Sequence, residues 1–234
     1  VSSNLTRANL APGQTGICMV MVTPDAERSM STYLGATAEL DHTALHADEL
    51  VQSSVYYMEG YLSASPTGLD AALQGRQLAK DAGVLLASTL SDVTMINFCR
   101  PGLETMVGDG LDYLFCNEEE AQVWCGSQDI DVVMREVSQL ARTVCLTRSA
   151  LGFVVLEGGE HTAVPAAPVK AVDTNGAGDM FAGAFLYAVT HGHRAVDAAW
   201  LANQCAGRVV SQYGNRLNAN ILGEIKARFE QRPK

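Results

Sequence analysis

The 234 residues carry 47% hydrophobic and 18% charged side chains, a balance that excludes a disordered chain and suits one sizeable buried core. The formal charge is −10 and the 16 lysines and arginines form no basic run, which argues against a nucleic-acid backbone or an anionic membrane as partner. The six cysteines stand apart with no C-x-x-C and no histidine at ligand spacing, and no apolar run reaches membrane length, so the composition reads as a cytoplasmic protein with reduced core thiols.

In chain order, Val1 is not a methionine and Val1 to Gly13 is polar and turn-rich, as in a segment taken from a longer chain. Thr15 to Thr23 is rich in β-formers, Pro24-Asp25 supplies a turn, and Arg28 to Leu40 reads as a second extended stretch, giving a hairpin or small sheet. His42 to Leu50 reads as a short helix capped by Asp41. From Ser54 strands and helices alternate. Val55 to Met58 is a strand ending at Glu59-Gly60, Leu69 to Ala82 a helix, and Val84 to Ala87 a strand. Pro101 to Val107 reads as a helix, Leu111 to Cys116 as a strand, and Glu118 to Trp124 and Ile130 to Leu140 as helices. Val144 to Thr147 is a strand with Phe153 to Leu156 as its hairpin partner across Gly152. This alternation predicts an α/β fold with a mostly parallel sheet covered on both faces. The final third is helical over Met180 to Val189, Ala195 to Gln212 and Ile221 to Gln231, and no linker divides the chain.

The most informative stretch is Asp173-Thr174-Asn175-Gly176-Ala177-Gly178-Asp179, directly before a small-residue helix. Gly176, Ala177 and Gly178 leave a loop without side chains at a helix start, so their N–H groups can face one anion. Asp179 then places a carboxylate beside an anion site, which suits a general base in phosphoryl transfer better than it suits binding. Asn117-Glu118-Glu119-Glu120 lies where a buried strand ends and a helix begins, the edge at which open α/β sheets bind ligands. Such acids fit either the favourable end of a helix dipole or a hydrated Mg²⁺ beside phosphates. His191-Gly192-His193 has no third ligand nearby and reads as a helix-ending turn.

The string D-T-x-G-A-G-D before a run of small residues closely resembles the second signature of the ribokinase-like carbohydrate and nucleoside kinases, the phosphofructokinase-B type. The resemblance extends over nearly the whole chain. It implies a three-layer α/β/α fold with a small β lid, here residues 1–40, on a kinase core, residues 41–234. It implies Asp179 as general base and Gly176, Ala177 and Gly178 as an anion hole. Asn117 and Glu120 match the N-x-x-E motif that holds Mg²⁺ through water and serves the phosphates. Thr147-Arg148-Ser149-Ala150-Leu151-Gly152 resembles the T-x-G-x-x-G turn against the nucleotide, with Ser149 where glycine is usual, so Thr147 carries over. Glu27-Arg28-Ser29-Met30 resembles the segment bringing an arginine, Arg28, to the transferring phosphate. Asn203 lies on the helix that lines the adenine pocket of ATP in the family, and by its residue type can equally bond an adjacent loop. Asp173, with Gly214, resembles a monovalent-cation site for K⁺.

Tyr56-Tyr57-Met58-Glu59-Gly60-Tyr61 and the Asn in the D-T-N-G-A-G-D string point to the adenosine-kinase-like branch. The implied activity is ATP- and Mg²⁺-dependent phosphorylation of a primary hydroxyl on a nucleoside such as adenosine. The alternatives are a ribose or fructose type of sugar kinase and a nucleoside- or sugar-binding module without catalysis. Members of the family also carry N-terminal strands, a substrate-binding aspartate and a Gly-Gly motif; none of these is found here, so the N-terminal part of the fold is expected upstream of Val1. The edge or face of a lid strand at Thr15 to Thr23 would suit a homodimer.

Overall fold

The computed structural model describes residues 13–232, so residues 1–12 of the expected lid segment lie outside the described residues. Two strands, β1 (Ile17–Val22) and β2 (Arg28–Tyr33), pair antiparallel as a separate ribbon, with Ile17 opposite Tyr33 and Val22 opposite Arg28. Extended structure does not run on to Leu40 as its composition suggested. Gly35 takes φ +54, and a Cβ there would meet the Gln14 carbonyl oxygen at 2.3 Å, so the chain turns at this glycine into a 3₁₀ helix over Gly35–Glu39. Asp41 does act as a cap, accepting from the Thr43 N–H, but it opens a 3₁₀ turn at His42–Ala44, and α1 (Ala47–Leu50) forms separately.

The core then alternates β3 (Val55–Met58), α2 (Pro66–Ala82), β4 (Leu85–Thr89), α3 (Val93–Val107), β5 (Leu111–Asn117), α4 (Glu118–Cys125), α5 (Ile130–Val137), β6 (Ala141–Thr147), β7 (Phe153–Glu157) and β8 (Glu160–Val164). Three helices close it: α6 (Ala177–Thr190), α7 (Ala195–Val210) and α8 (Ala219–Glu230). Local chemistry sets these ends. Ser65 accepts from the Gly68 N–H with Pro66 in the first turn of α2, and Gly83 closes that helix in the left-handed region.

The helix expected from Pro101 begins instead at Val93, because Asp92 caps it through the Thr94 N–H. Pro101 is accommodated inside by a kink at Cys99, where φ is −123 and ψ 18. Strand β8 escaped the sequence reading: Glu-His-Thr-Ala-Val is an exposed edge strand without an apolar run to mark it.

The six strands lie in the order β3-β4-β5-β6-β7-β8, parallel from β3 to β6 and antiparallel beyond. Alternate residues of each strand enter opposite cores. Met58, Leu86, Leu114, Val144 and Val154 pack with Ala72, Leu103, Trp124 and Val133 from α2 to α5. Ala87, Phe115, Cys145, Phe153 and Val155 pack with Phe181, Phe185, Ala202 and Phe229 from α6 to α8. The fold is therefore a three-layer α/β/α sandwich. Because β3 to β6 are parallel, Met58, Thr89, Asn117 and Thr147 end on one rim, with Asn117 directly opposite Thr147. Among the described residues no helix is long and apolar enough to cross a membrane.

Candidate active site

The loop from Asp173 to Asp179 enters α6 through Gly176, whose φ is +73. A Cβ there would come within 2.4 Å of the Asn215 Cβ, so the position requires glycine for both its conformation and its space. No atom lies within 4 Å of where a Gly178 Cβ would stand, which leaves the loop open on that side. The Ala177 N–H donates back to the Thr174 carbonyl at 3.3 Å. The amides of Gly176, Gly178 and Asp179 have no acceptor among the described residues. Of the Gly176, Ala177 and Gly178 amides that the sequence suggested, Gly176 and Gly178 are thus free, Ala177 is engaged, and the Asp179 amide is free beside them. Asp179 stands exposed in the first turn of the 14-residue helix α6.

Asn117 and Glu120 form a reciprocal capping box at the start of α4. The Asn117 Oδ1 accepts from the Glu120 N–H at 2.8 Å, and the Glu120 Oε2 accepts from the Asn117 N–H at 3.0 Å. The Asn117 Nδ2 also donates to the Glu120 Oε1 at 2.7 Å. Glu120 is only 6% exposed, and burial pushes its carboxyl up to about 7, with the charges of Asp92 and Glu119 adding to the shift and Arg28 opposing it. A buried carboxylate crowded by acids, with hard oxygen donors at a strand end, fits a cation such as Mg²⁺. Among the described residues no three of His, Cys, Asp and Glu converge as a metal cage, so a cation here would draw its other ligands from water and phosphate oxygens.

The ribbon reaches this rim at its tip. The Thr174 Oγ1 donates to the Ala26 carbonyl at 3.0 Å and accepts from the Arg28 Nη1 at 3.1 Å. Arg28 thereby stands over the loop that holds Asp179, although the two lie far apart in sequence.

Sequence reasoning used the end of β3 only for the branch resemblance and gave Glu59 no place in the site. Glu59 is half-buried there and accepts from the Ser91 Oγ at 3.4 Å. Burial, then the Asp179 charge, raises its carboxyl above the ordinary range. Tyr61 is pushed up to about 12 by burial and by Asp92, Glu120 and Glu59, against the pull of Arg28. One electrostatic neighbourhood therefore includes residues from the ribbon, β3, α3, α4 and α6. The rule that located Asn117, a polar residue where a buried parallel strand ends, applies equally to Met58-Glu59-Gly60 and would have found Glu59.

Thr147 ends β6 on the same rim, its hydroxyl 3.5 Å from the Cys116 carbonyl. Beside it Arg148 forms a two-point ion pair with Glu118, at 2.9 and 3.1 Å. Ser149 takes φ +49, the left-handed conformation that explains why glycine is usual there and that costs a serine about 1–2 kcal/mol. Asn203 bonds an adjacent loop, donating to the Pro165 carbonyl at 3.1 Å and accepting from the Ala167 N–H at 3.4 Å. Asp173 is 5% exposed, and its two oxygens accept from Asn175 and Gly214 N–H groups at 2.9 and 3.1 Å, so it ties the loop to the segment after α7. His191 bonds the Tyr187 carbonyl and His193 packs on Phe229, away from any ligand cluster.

A family model described as pfkB family carbohydrate kinase matches residues 8–221. The adenosine kinase of Schizophyllum commune is 28% identical over 224 residues, which cover 86% of this chain and 64% of that protein. The crystal structure of adenosine kinase from Sinorhizobium meliloti superposes with a TM-score of 0.89 at 33% identity, covering 94% of this chain and 68% of that one. A putative ribokinase II from E. coli in complex with ATP and Mg²⁺ shares the fold, with a TM-score of 0.78 at 22% identity over 92% of this chain and 70% of that one. The chain spans less than two thirds of the length of the curated adenosine kinases it matches.

Proposed function

The chain belongs to the pfkB family of carbohydrate kinases, and on that premise we propose that the protein transfers the γ-phosphoryl group of ATP to a primary hydroxyl of a nucleoside such as adenosine. The observation that carries this reading is the meeting on one rim of the Gly176 to Asp179 loop, the Asn117–Glu120 pair and Arg28, held there through Thr174. The adenosine kinases among its relatives support a nucleoside over a free sugar as acceptor.

In this reaction the Asp179 carboxylate accepts the proton of the substrate hydroxyl. The freed oxygen bonds to the γ-phosphorus in line as the bond to the bridging oxygen of ADP breaks. The amides of Gly176, Gly178 and Asp179 donate to the charge that builds up, and the Arg28 guanidinium neutralises it from the ribbon side. Asn117 and Glu120 would hold Mg²⁺ through its waters, and that ion would offset the phosphate charge beside them. Thr147 lines the same edge for the nucleotide. The exposed apolar face of the ribbon, Ile17, Met19, Met21 and Tyr33, supports a homodimer through this element.

The test is an ADP-release screen of nucleosides against free sugars on the full-length protein, repeated with Asp179→Asn. A general base contributes a factor of about 10² to 10⁴, so Asp179→Asn should lose at least a hundredfold in turnover while still binding ATP. Turnover of Asp179→Asn near that of the parent would refute the base assignment. A screen in which sugars are phosphorylated and nucleosides are not would move the substrate to the sugar class, and thermal shifts without ADP would indicate a binding module.

A further inference from the structure

We infer that Thr174 is a positioning residue, a latch whose hydroxyl fastens both the tip of the β1–β2 ribbon and the Arg28 guanidinium to the anion loop. Its kinetic consequence rests on the phosphoryl-transfer reading above; the latch itself rests on geometry. A hydroxyl has one proton to donate and lone pairs to accept with. Thr174 spends the proton on the Ala26 carbonyl at 3.0 Å and receives the Arg28 Nη1 at 3.1 Å, while its backbone N–H reaches the same Ala26 carbonyl at 3.4 Å. One side chain thus holds the turn and the cation just beyond it.

The rest of the ribbon gives little other purchase. No side chain of β1 or β2 is buried, whereas Ala26 in the turn between them is 2% exposed. Ala26 also adopts φ +67, a conformation that a residue with a Cβ keeps only when its surroundings impose it. The turn is closed internally by the Ala26 N–H on the Thr23 carbonyl and the Thr23 N–H on the Glu27 carbonyl, both at 2.9 Å. It therefore presents the Ala26 carbonyl as a rigid unit, and Thr174 is the group that receives it. Since Asp173, the neighbour of Thr174, is tied to Gly214 and Asn175, the latch is anchored in the core. Arg28 comes to the site only when the tip is docked, so access for ligands and neutralisation of charge are coupled through one hydroxyl.

Thr174→Val keeps the shape and removes the hydroxyl, and Thr174→Ser keeps the hydroxyl. In the full-length protein without ligand, hydrogen exchange of the peptide spanning residues 17–33 should quicken about tenfold in Thr174→Val, as expected for losing a charge-assisted hydrogen bond. Exchange in β4 and β5 should be unchanged, and Thr174→Ser should match the parent. Equal exchange of residues 17–33 in Thr174→Val and the parent would overturn the latch. In turnover, Thr174→Val should lower kcat about tenfold with little change in the KM for ATP. In an Arg28→Gln background it should add nothing, because Thr174 acts through Arg28; full additivity of the two substitutions overturns that coupling. If the parent phosphorylates neither nucleosides nor sugars, the functional reading falls while the exchange arm still decides the latch.

Discussion

Asp179 and Glu59 arrive at the rim from opposite ends of the core, one in the first turn of α6 and one just past β3, and the charge of the first raises the carboxyl of the second. Burial is the larger cause. Glu59 in the folded protein therefore holds its proton at pH values where the unfolded chain, at its ordinary 4.5, has released it. More protons bound to the folded state means that stability falls as pH rises from about 4.5 through the raised value, and levels off above it. Glu120, raised to about 7, adds a slope of the same sign, so Glu59→Gln should lessen the slope without abolishing it, and Asp179→Asn should lessen it by removing the second cause of the Glu59 shift. Urea unfolding midpoints measured from pH 4 to 8 check this; an unchanged slope in Glu59→Gln would show that Glu59 is not the group responsible. The two acids differ in setting: Asp179 is exposed, whereas Glu59 is half-buried and held by Ser91.

At the scale of elements, five of the eight described α-helices begin on a capping side chain, and one junction depends on a residue from a different helix. Arg76 of α2 sends its Nη2 to the Val107 carbonyl at 3.2 Å and the Gly110 carbonyl at 3.3 Å, and pairs with Asp109 at 2.5 Å. It thus gives the Val107 carbonyl, which already accepts from the Gly110 N–H at 3.1 Å, a second donor, and bonds the Gly110 carbonyl in the turn that follows α3. Gly108 there takes φ +58, and a Cβ would lie 2.7 Å from the Arg76 Nη2, so the turn and the arginine are fitted to each other. The buried Arg76 Nε has no partner among the described residues, which offsets part of the gain. Arg76→Met keeps the packing stem and loses these bonds, and it should destabilise the protein by about 1–2 kcal/mol. Chemical denaturation measures this. A stability equal to the parent would show that solvent serves those carbonyls as well.

For the whole molecule, the ribbon stands apart from the six-stranded sheet and turns one apolar face outward. Ile17, Met19, Met21 and Tyr33 share that face and are 59%, 62%, 53% and 55% exposed. Only Ser29 and Ser31 lie between them on the paired strand. An apolar stripe of this kind suits self-association about a two-fold axis. Light scattering on the full-length protein should give twice the chain mass, and Met19→Glu with Met21→Glu should return it to a monomer. A parent that is monomeric at tens of micromolar would rule this face out as a dimer surface.

Local and periodic signals in the chain were enough for the alternation of strands and helices from β3 to β7, the mostly parallel sheet with a helical layer on each face and the glycines of the Gly176 to Gly178 loop. Each of these is decided by neighbours a few residues apart: glycines where side chains must be absent and apolar runs of strand length. Features that depend on contacts between distant segments were hidden. The place of Glu59 beside the Asp179 charge arises between elements far apart in the chain, and which of the two readings of Asn203 holds was decided only by the Pro165 to Ala167 loop that it bonds. The docking of Ala26 and Arg28 on Thr174 is the plainest case, because a hydroxyl in a glycine-rich string carries no sign of its partner until the tertiary structure brings the ribbon tip within 3.0 Å of it.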